Sequence, residues 1–159
     1  MTERLPDLAK RLRNCRGVLV DSNILICSQD ADAGDKRERA IESLKPLWAA
    51  GTGRVSVQVL QEFYVNATRK LTGPLSLATA REVIHVYGEW VKAQTNAATV
   101  IRAGELAELA QLSFWDGLII ASAEQAGATC LYSEDLNAGQ TIAGIKIINP
   151  LTASFTNSV

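Results

Sequence analysis

The chain has 159 residues, 47% hydrophobic and 21% charged, with a formal net charge of −1. That length suits one domain, which buries roughly 68–70% of its unfolded surface without disulfide staples, and the composition excludes extended disorder and a coiled coil. No apolar run approaches the roughly 18 residues of a bilayer span, and the near-neutral charge argues against binding nucleic acid through bulk positive potential.

Residues 1–17 lack a signal-peptide core, because Asp7, Lys10 and Arg11 interrupt Leu5, Leu8 and Leu12. The expected compartment is the cytoplasm. Three cysteines, Cys15, Cys27 and Cys130, show no metal-ligand spacing, and their odd number suits a reducing environment. Apolar neighbours mark Cys27 and Cys130 as small core side chains.

Residues 6–14 read as a short helix, with Pro6 at a first helical position and Gly17 as the break. Val18–Val20 is a buried strand, and Asp21-Ser22-Asn23 turns into a short helix over Ile24–Ile26. After the polar loop 28–35, Lys36–Ala50 is helical, with Pro46 as a local irregularity. Gly51-Thr52-Gly53 stops it, a strand follows at Arg54–Val57, and Val59–Lys70 is helical. Ser76 caps a helix reaching about Lys92. A short strand is expected at Ala98–Ile101, then a helix over 102–111 and another from Ser113 to Gly127. Thr129–Tyr132 and Ile145–Ile148 are the last strands, and 151–159 is a polar tail. The basic runs Lys10, Arg11, Arg13, Arg16 and Lys36, Arg37, Arg39 read first as solvated helix faces.

Strands alternating with helices predict a three-layer α/β/α domain around a parallel sheet of four or five strands. Sites in such sheets form beyond the carboxyl ends of the strands. Asp21 and Asp135 follow strands directly, and Glu62 and Asp116 stand in the first turns of helices that return from that same edge. Two carboxylates about 4 Å apart repel by roughly 4 kcal/mol at an effective dielectric near 20, so a cluster of four needs a cation. All the donors are hard oxygens, which selects Mg²⁺ or Mn²⁺ over zinc. His85, the single histidine, belongs to no such motif. Each acid also has a structural reading on its own: Asp21 as a helix cap, Ser113-x-x-Asp116 as a capping box, Ser133–Asn137 as a turn, and Glu62 as a surface residue.

With those residues in place, the chain resembles the PIN domains, and among them the VapC-type toxin ribonucleases. The resemblance rests on Val-Asp21-Ser-Asn23-Ile-Leu, Val-Leu-Gln-Glu62-Phe-Tyr, Leu-Ser-Phe-Trp-Asp116-Gly-Leu-Ile-Ile-Ala, Leu-Tyr-Ser133-Glu-Asp135-Leu and Ile-Ile-Asn149-Pro150, in that order. It implies a nuclease domain over about 18–150, with 1–17 as a helical extension. Asp21, Glu62, Asp116 and Asp135 would be the metal-binding and catalytic quartet, with Asn23 and Ser133 beside the metal. It further implies a metal-dependent endoribonuclease leaving 5′-phosphate and 3′-hydroxyl ends, homodimeric and neutralised by a small antitoxin protein. Asp21 lies farther from the N-terminus than in compact members of that family.

Three other classes fit less well. A non-catalytic PIN-fold module binding RNA or protein would not need all four acids. A haloacid-dehalogenase-like phosphatase wants a second Asp two residues after the first, where this chain has Asn23. A P-loop or Rossmann reading lacks its glycine pattern, because Gly51-Thr-Gly53 precedes a strand.

Overall fold

Val18, Leu19 and Val20 (β1) are each almost fully buried, which identifies an interior strand of a parallel sheet. The computed structural model describes residues 4–152. Around β1 the chain adds β2 (Gly53–Arg54), β3 (Cys130–Tyr132), β4 (Thr141–Ile142) and β5 (Ile145–Ile148). Their order is β2-β1-β3-β5-β4, parallel except for the antiparallel edge pair of β4 and β5. Among the described residues seven α-helices complete the α/β/α fold: α1 (Arg4–Leu12), α2 (Ser22–Gln29), α3 (Asp35–Ala50), α4 (Val57–Arg69), α5 (Leu77–Tyr87), α6 (Ala97–Ala110) and α7 (Phe114–Gln125).

The order of the strands positions the site. From β1 the chain moves to β2 on one side, and later returns to place β3 on the other. The segments leaving β1 and β3 therefore diverge and open a crevice at their carboxyl ends. The ladder continues right up to it. Asp21 N–H donates to Tyr132 O (2.9 Å), and Ser133 N–H to Ile148 O (3.0 Å).

Local chemistry explains most element boundaries. Ser56, Ser76 and Ser113 cap α4, α5 and α7, each accepting from the backbone three residues on. Ser56 captures residues that sequence alone assigns to a longer strand, so β2 ends at Arg54. Helix α5 stops at Tyr87 rather than near Lys92, and a 3-10 turn at Gly88–Trp90 follows. That turn folds Trp90 over Gly53, where any Cβ would overlap the indole. Trp90 also packs with Trp48 and Tyr87, with ring centroids 4.4 and 4.9 Å away; Tyr87 and Trp90 belong to the core, and Trp48 stays exposed.

Three further expectations need correction. The strand expected at Ala98–Ile101 is the start of α6. Asn96 and Thr99 form a reciprocal capping box there, and that outweighs the β-branched run Thr99-Val100-Ile101. The cysteines are not all free thiols: Cys15 and Cys130 are disulfide-bonded, with Cα atoms 5.7 Å apart, while Cys27 is free. The pairing follows from the ladder, because Gly17 O accepts from both Thr129 N and Cys130 N and draws the segment after α1 against β3. Leu151, placed by sequence in a polar tail, is buried. Residues 153–159 of that tail lie outside the described residues, as do residues 1–3. Among the described residues, no helix is long and apolar enough to cross a membrane.

Candidate active site

Asp21 leaves β1 and enters α2 in extended backbone (φ −72°, ψ 158°), so its side chain folds back over the helix start. Its Oδ1 accepts from Ser22 N–H at 2.7 Å, and its Oδ2 accepts from Ser133 Oγ at 2.9 Å. The capping reading of Asp21 is thus correct as local structure. It does not exhaust the residue. Asp21 is buried, and burial pushes its carboxyl up from 3.8 to about 6. The two hydrogen bonds pull it down, and the charges of Glu62 and Asp135 push it up again.

Glu62 arrives from the second turn of α4. Ser22 Oγ donates to its Oε1 (3.1 Å) and Gln58 Nε2 approaches its Oε2 (3.4 Å). Asp135 arrives from the loop after β3. Asn23 Nδ2 donates to its Oδ2 (3.1 Å) and lies 3.5 Å from Asp21 Oδ2, so one amide spans both carboxylates. Asn23 also anchors this loop through its Oδ1, which accepts from Glu134 N–H (3.2 Å). Ser133 Oγ accepts from Asp135 N–H (3.2 Å) while donating to Asp21. Asn23 and Ser133 therefore each bond Asp21 and the Asp135 loop. Ser22 and Gln58 are additions; Gln58 precedes Glu62 by one helical turn, the spacing that puts both on one face.

Asp116 is positioned differently. Ser113 Oγ accepts from Asp116 N–H (3.1 Å), but no return bond from the carboxylate closes a capping box. Among the described residues, the Asp116 carboxylate has no hydrogen-bond or ion-pair partner, and no contact links it to the other three acids. Its place at the start of α7 is fixed by Gly117, where a Cβ would overlap the carbonyl oxygen of Ala103 on α6.

Asp21, Glu62 and Asp135 form one electrostatic cluster, and all the side chains around them offer oxygen or amide groups. In chemistry this donor set fits a hard divalent cation and disfavours zinc. In spacing it is more open. Among the described residues, no three His, Cys, Asp or Glu side chains lie close enough together to hold a metal ion as they stand. Of the basic run 36–39, Lys36 pairs with Glu134 at 2.7 Å beside Asp135. Arg37 Nε and Arg39 Nη1 donate to the carbonyls of Ser28 and Leu151. Lys36 and Arg37 are exposed, as their solvated-face reading expects, and Arg39 is half-buried.

A mostly parallel sheet covered by helices, with carboxylates at its switch point, defines an α/β protein of the acid-edge type. The PIN domain family model matches residues 18–141, most of the chain, and the chain belongs to that family. Among solved structures it is similar to FitAcB from Neisseria gonorrhoeae, with a TM-score of 0.56 and 17% sequence identity, covering 84% of this chain and 97% of that one. At that identity the likeness speaks for the fold. No curated protein matches the chain at a significant level.

Proposed function

We propose that this PIN domain protein is a metal-dependent endoribonuclease of the VapC type, the toxin of a toxin–antitoxin pair. The observation that carries the reading is Asp21: a buried carboxyl at the switch point, flanked by the charges of Glu62 and Asp135. Burying this one carboxyl beside two others is costly as pure structure and useful as a cation site.

Asp21, Glu62, Asp116 and Asp135 are the residues that would hold Mg²⁺ or Mn²⁺. When bound, the ion would supply the positive charge and Lewis acidity for in-line attack of water on a phosphodiester. The chain's own contribution is positional. Ser133 and Ser22 N–H fix the two oxygens of Asp21, Ser22 and Gln58 hold Glu62, and Asn23 orients Asp135. Asp116, which has no side-chain partner among the described residues, would complete the set from the start of α7.

The family resemblance adds a homodimer and a small antitoxin. In support of a partner, Val57, Leu60, Tyr64, Val65 and Ile84 line an open apolar groove of about 400 Å³ on the helix that carries Glu62. An antitoxin seated there would stand beside the acids. A non-catalytic PIN module is the second reading, favoured by the open spacing of the carboxylates. Cleavage-site mapping on total cellular RNA separates the two. Cuts with 5′-phosphate ends from wild type, absent with Asp21→Asn, support the nuclease; identical RNA profiles from both proteins leave the binding module.

A further inference from the structure

Gln58 lies in the first turn of α4, where only 9% of its surface is exposed. The other buried residues of that helix are Val59, Phe63 and Ala67, so an apolar side chain at this position would leave no polar group to satisfy. Gln58 Nε2 donates toward Glu62 Oε2 at 3.4 Å. Its Oε1 is buried and has no hydrogen-bond partner among the described residues. Exchanging the two ends of the amide would set its oxygen against a carboxylate, so the unpaired atom is the acceptor.

Buried polar groups are almost always hydrogen-bonded, and an exception needs a physical account. Arg39 Nε and Ser122 Oγ are unpaired in the same way, but neither residue bonds an acid of the site among the described residues. Gln58 does. Its Oε1 shares a carbon with Nε2 and therefore also lies beside Glu62. The spacing of the acids indicates what would pair with it. Among the described residues, no three His, Cys, Asp or Glu side chains stand close enough to hold an ion directly. A set this open fits a cation that keeps part of its hydration. Mg²⁺ dehydrates reluctantly and usually retains several waters, whereas Ca²⁺ accepts more ligands in looser geometry. Water polarised by a cation is a strong donor, and a donor is what Gln58 Oε1 lacks.

We propose that Gln58 is a positioning residue for the cation: its Oε1 accepts a hydrogen bond from a water that the ion retains, and so favours hydrated Mg²⁺ over Ca²⁺. The proposal rests on the metal-dependent reading and gives Gln58 no part in bond cleavage. It accounts for a buried amide on a helix face that is otherwise apolar.

The test is calorimetric titration of MgCl₂ and of CaCl₂ into wild type, Gln58→Met and Gln58→Glu, with urea unfolding of each in EDTA. Methionine keeps the length of the side chain and removes both polar ends. Gln58→Met should weaken Mg²⁺ binding by about 10- to 100-fold, the usual effect of losing a group that supports a metal site from outside its direct ligands. It should weaken Ca²⁺ less, and its urea midpoint in EDTA should be at least that of wild type. Gln58→Glu keeps an acceptor and loses the Nε2 donor, so it should restore the preference for Mg²⁺ over Ca²⁺. Unchanged Mg²⁺ affinity of Gln58→Met overturns the proposal, as does an equal loss for both ions. A lower midpoint of Gln58→Met in EDTA also overturns it, because the amide then serves the fold. Failure of Gln58→Glu to restore the preference assigns the effect to the Nε2 bond with Glu62 and overturns it too. In each of these cases wild type still binds Mg²⁺ and the metal-dependent reading survives; if wild type binds neither ion, that reading fails as well.

Discussion

Replacing Asp21 by Asn should stabilise the metal-free protein at neutral pH while abolishing cleavage. The raised carboxyl, from 3.8 to about 6, means that ionising it costs about 3 kcal/mol more in the folded chain than in the unfolded one. Between those two values the native state keeps a proton that the unfolded chain has released. Stability therefore falls as pH rises through that window and stays low above it. Asn carries no charge and keeps an acceptor for Ser22 N–H. It loses the acceptor for the Ser133 hydroxyl, a deficit of about 1 kcal/mol. The expected net gain is about 2 kcal/mol at pH 7 in EDTA. It should vanish at about pH 4, where wild-type Asp21 is protonated in the fold and the mutant falls slightly behind. Urea unfolding of both proteins at the two pH values reads this directly. If Asp21→Asn is less stable than wild type at neutral pH without metal, Asp21 is a helix cap and the strain reasoning is wrong.

Three other outcomes follow from particular contacts. Gly117→Ala would drive a methyl into the Ala103 carbonyl and push α7 off α6, lowering stability by about 1–3 kcal/mol in thermal melts; an unchanged melting temperature would mean the helices are not held that closely. Ala143 takes a left-handed conformation (φ 52°) before Gly144 in the two-residue turn between β4 and β5, so Ala143→Asn should stabilise by roughly 0.5–1 kcal/mol, measurable as a higher urea midpoint. Reducing the Cys15–Cys130 bond, which closes a separation of 115 residues, should cost about 2–5 kcal/mol, seen as a lower melting temperature in dithiothreitol and matched by a Cys15→Ser, Cys130→Ser double mutant.

Elements with strong local chemistry were legible in the sequence. The apolar runs of β1, β3 and β5 and the serine caps of α4, α5 and α7 declare themselves, and parallel topology then sends Asp21 and Asp135 to one edge. What sequence concealed depends on tertiary contacts or on weak turn signals. Strand β4 is hidden because its hairpin turn is Ala143-Gly144, where Asn-Gly would have announced it. The run Thr99–Ile101 looks like a strand because Val100 and Ile101 are exposed on a helix that the Asn96 cap had already committed. The Cys15–Cys130 bond spans 115 residues and depends on a strand register that spacing cannot disclose. At the site, Asn23 and Ser133 were named through the family resemblance, and their bonds to Asp21 and Asp135 are visible only in the fold. The roles of Ser22 and Gln58 depend on where α4 approaches α2.

The account stands or falls on whether these acids bind a cation. Calorimetric titration of Mn²⁺ into wild type and into Asp116→Asn tests that most directly, with thermal melting of the same samples as the readout of linkage. Wild type should bind Mn²⁺ and gain about 2.7 kcal/mol at a hundred times its dissociation constant, whereas Asp116→Asn should lose most of the affinity and most of the gain while melting like wild type in EDTA. No heat of binding and equal melting of wild type with and without Mn²⁺ would contradict it, as would an Asp116→Asn protein that binds as tightly as wild type.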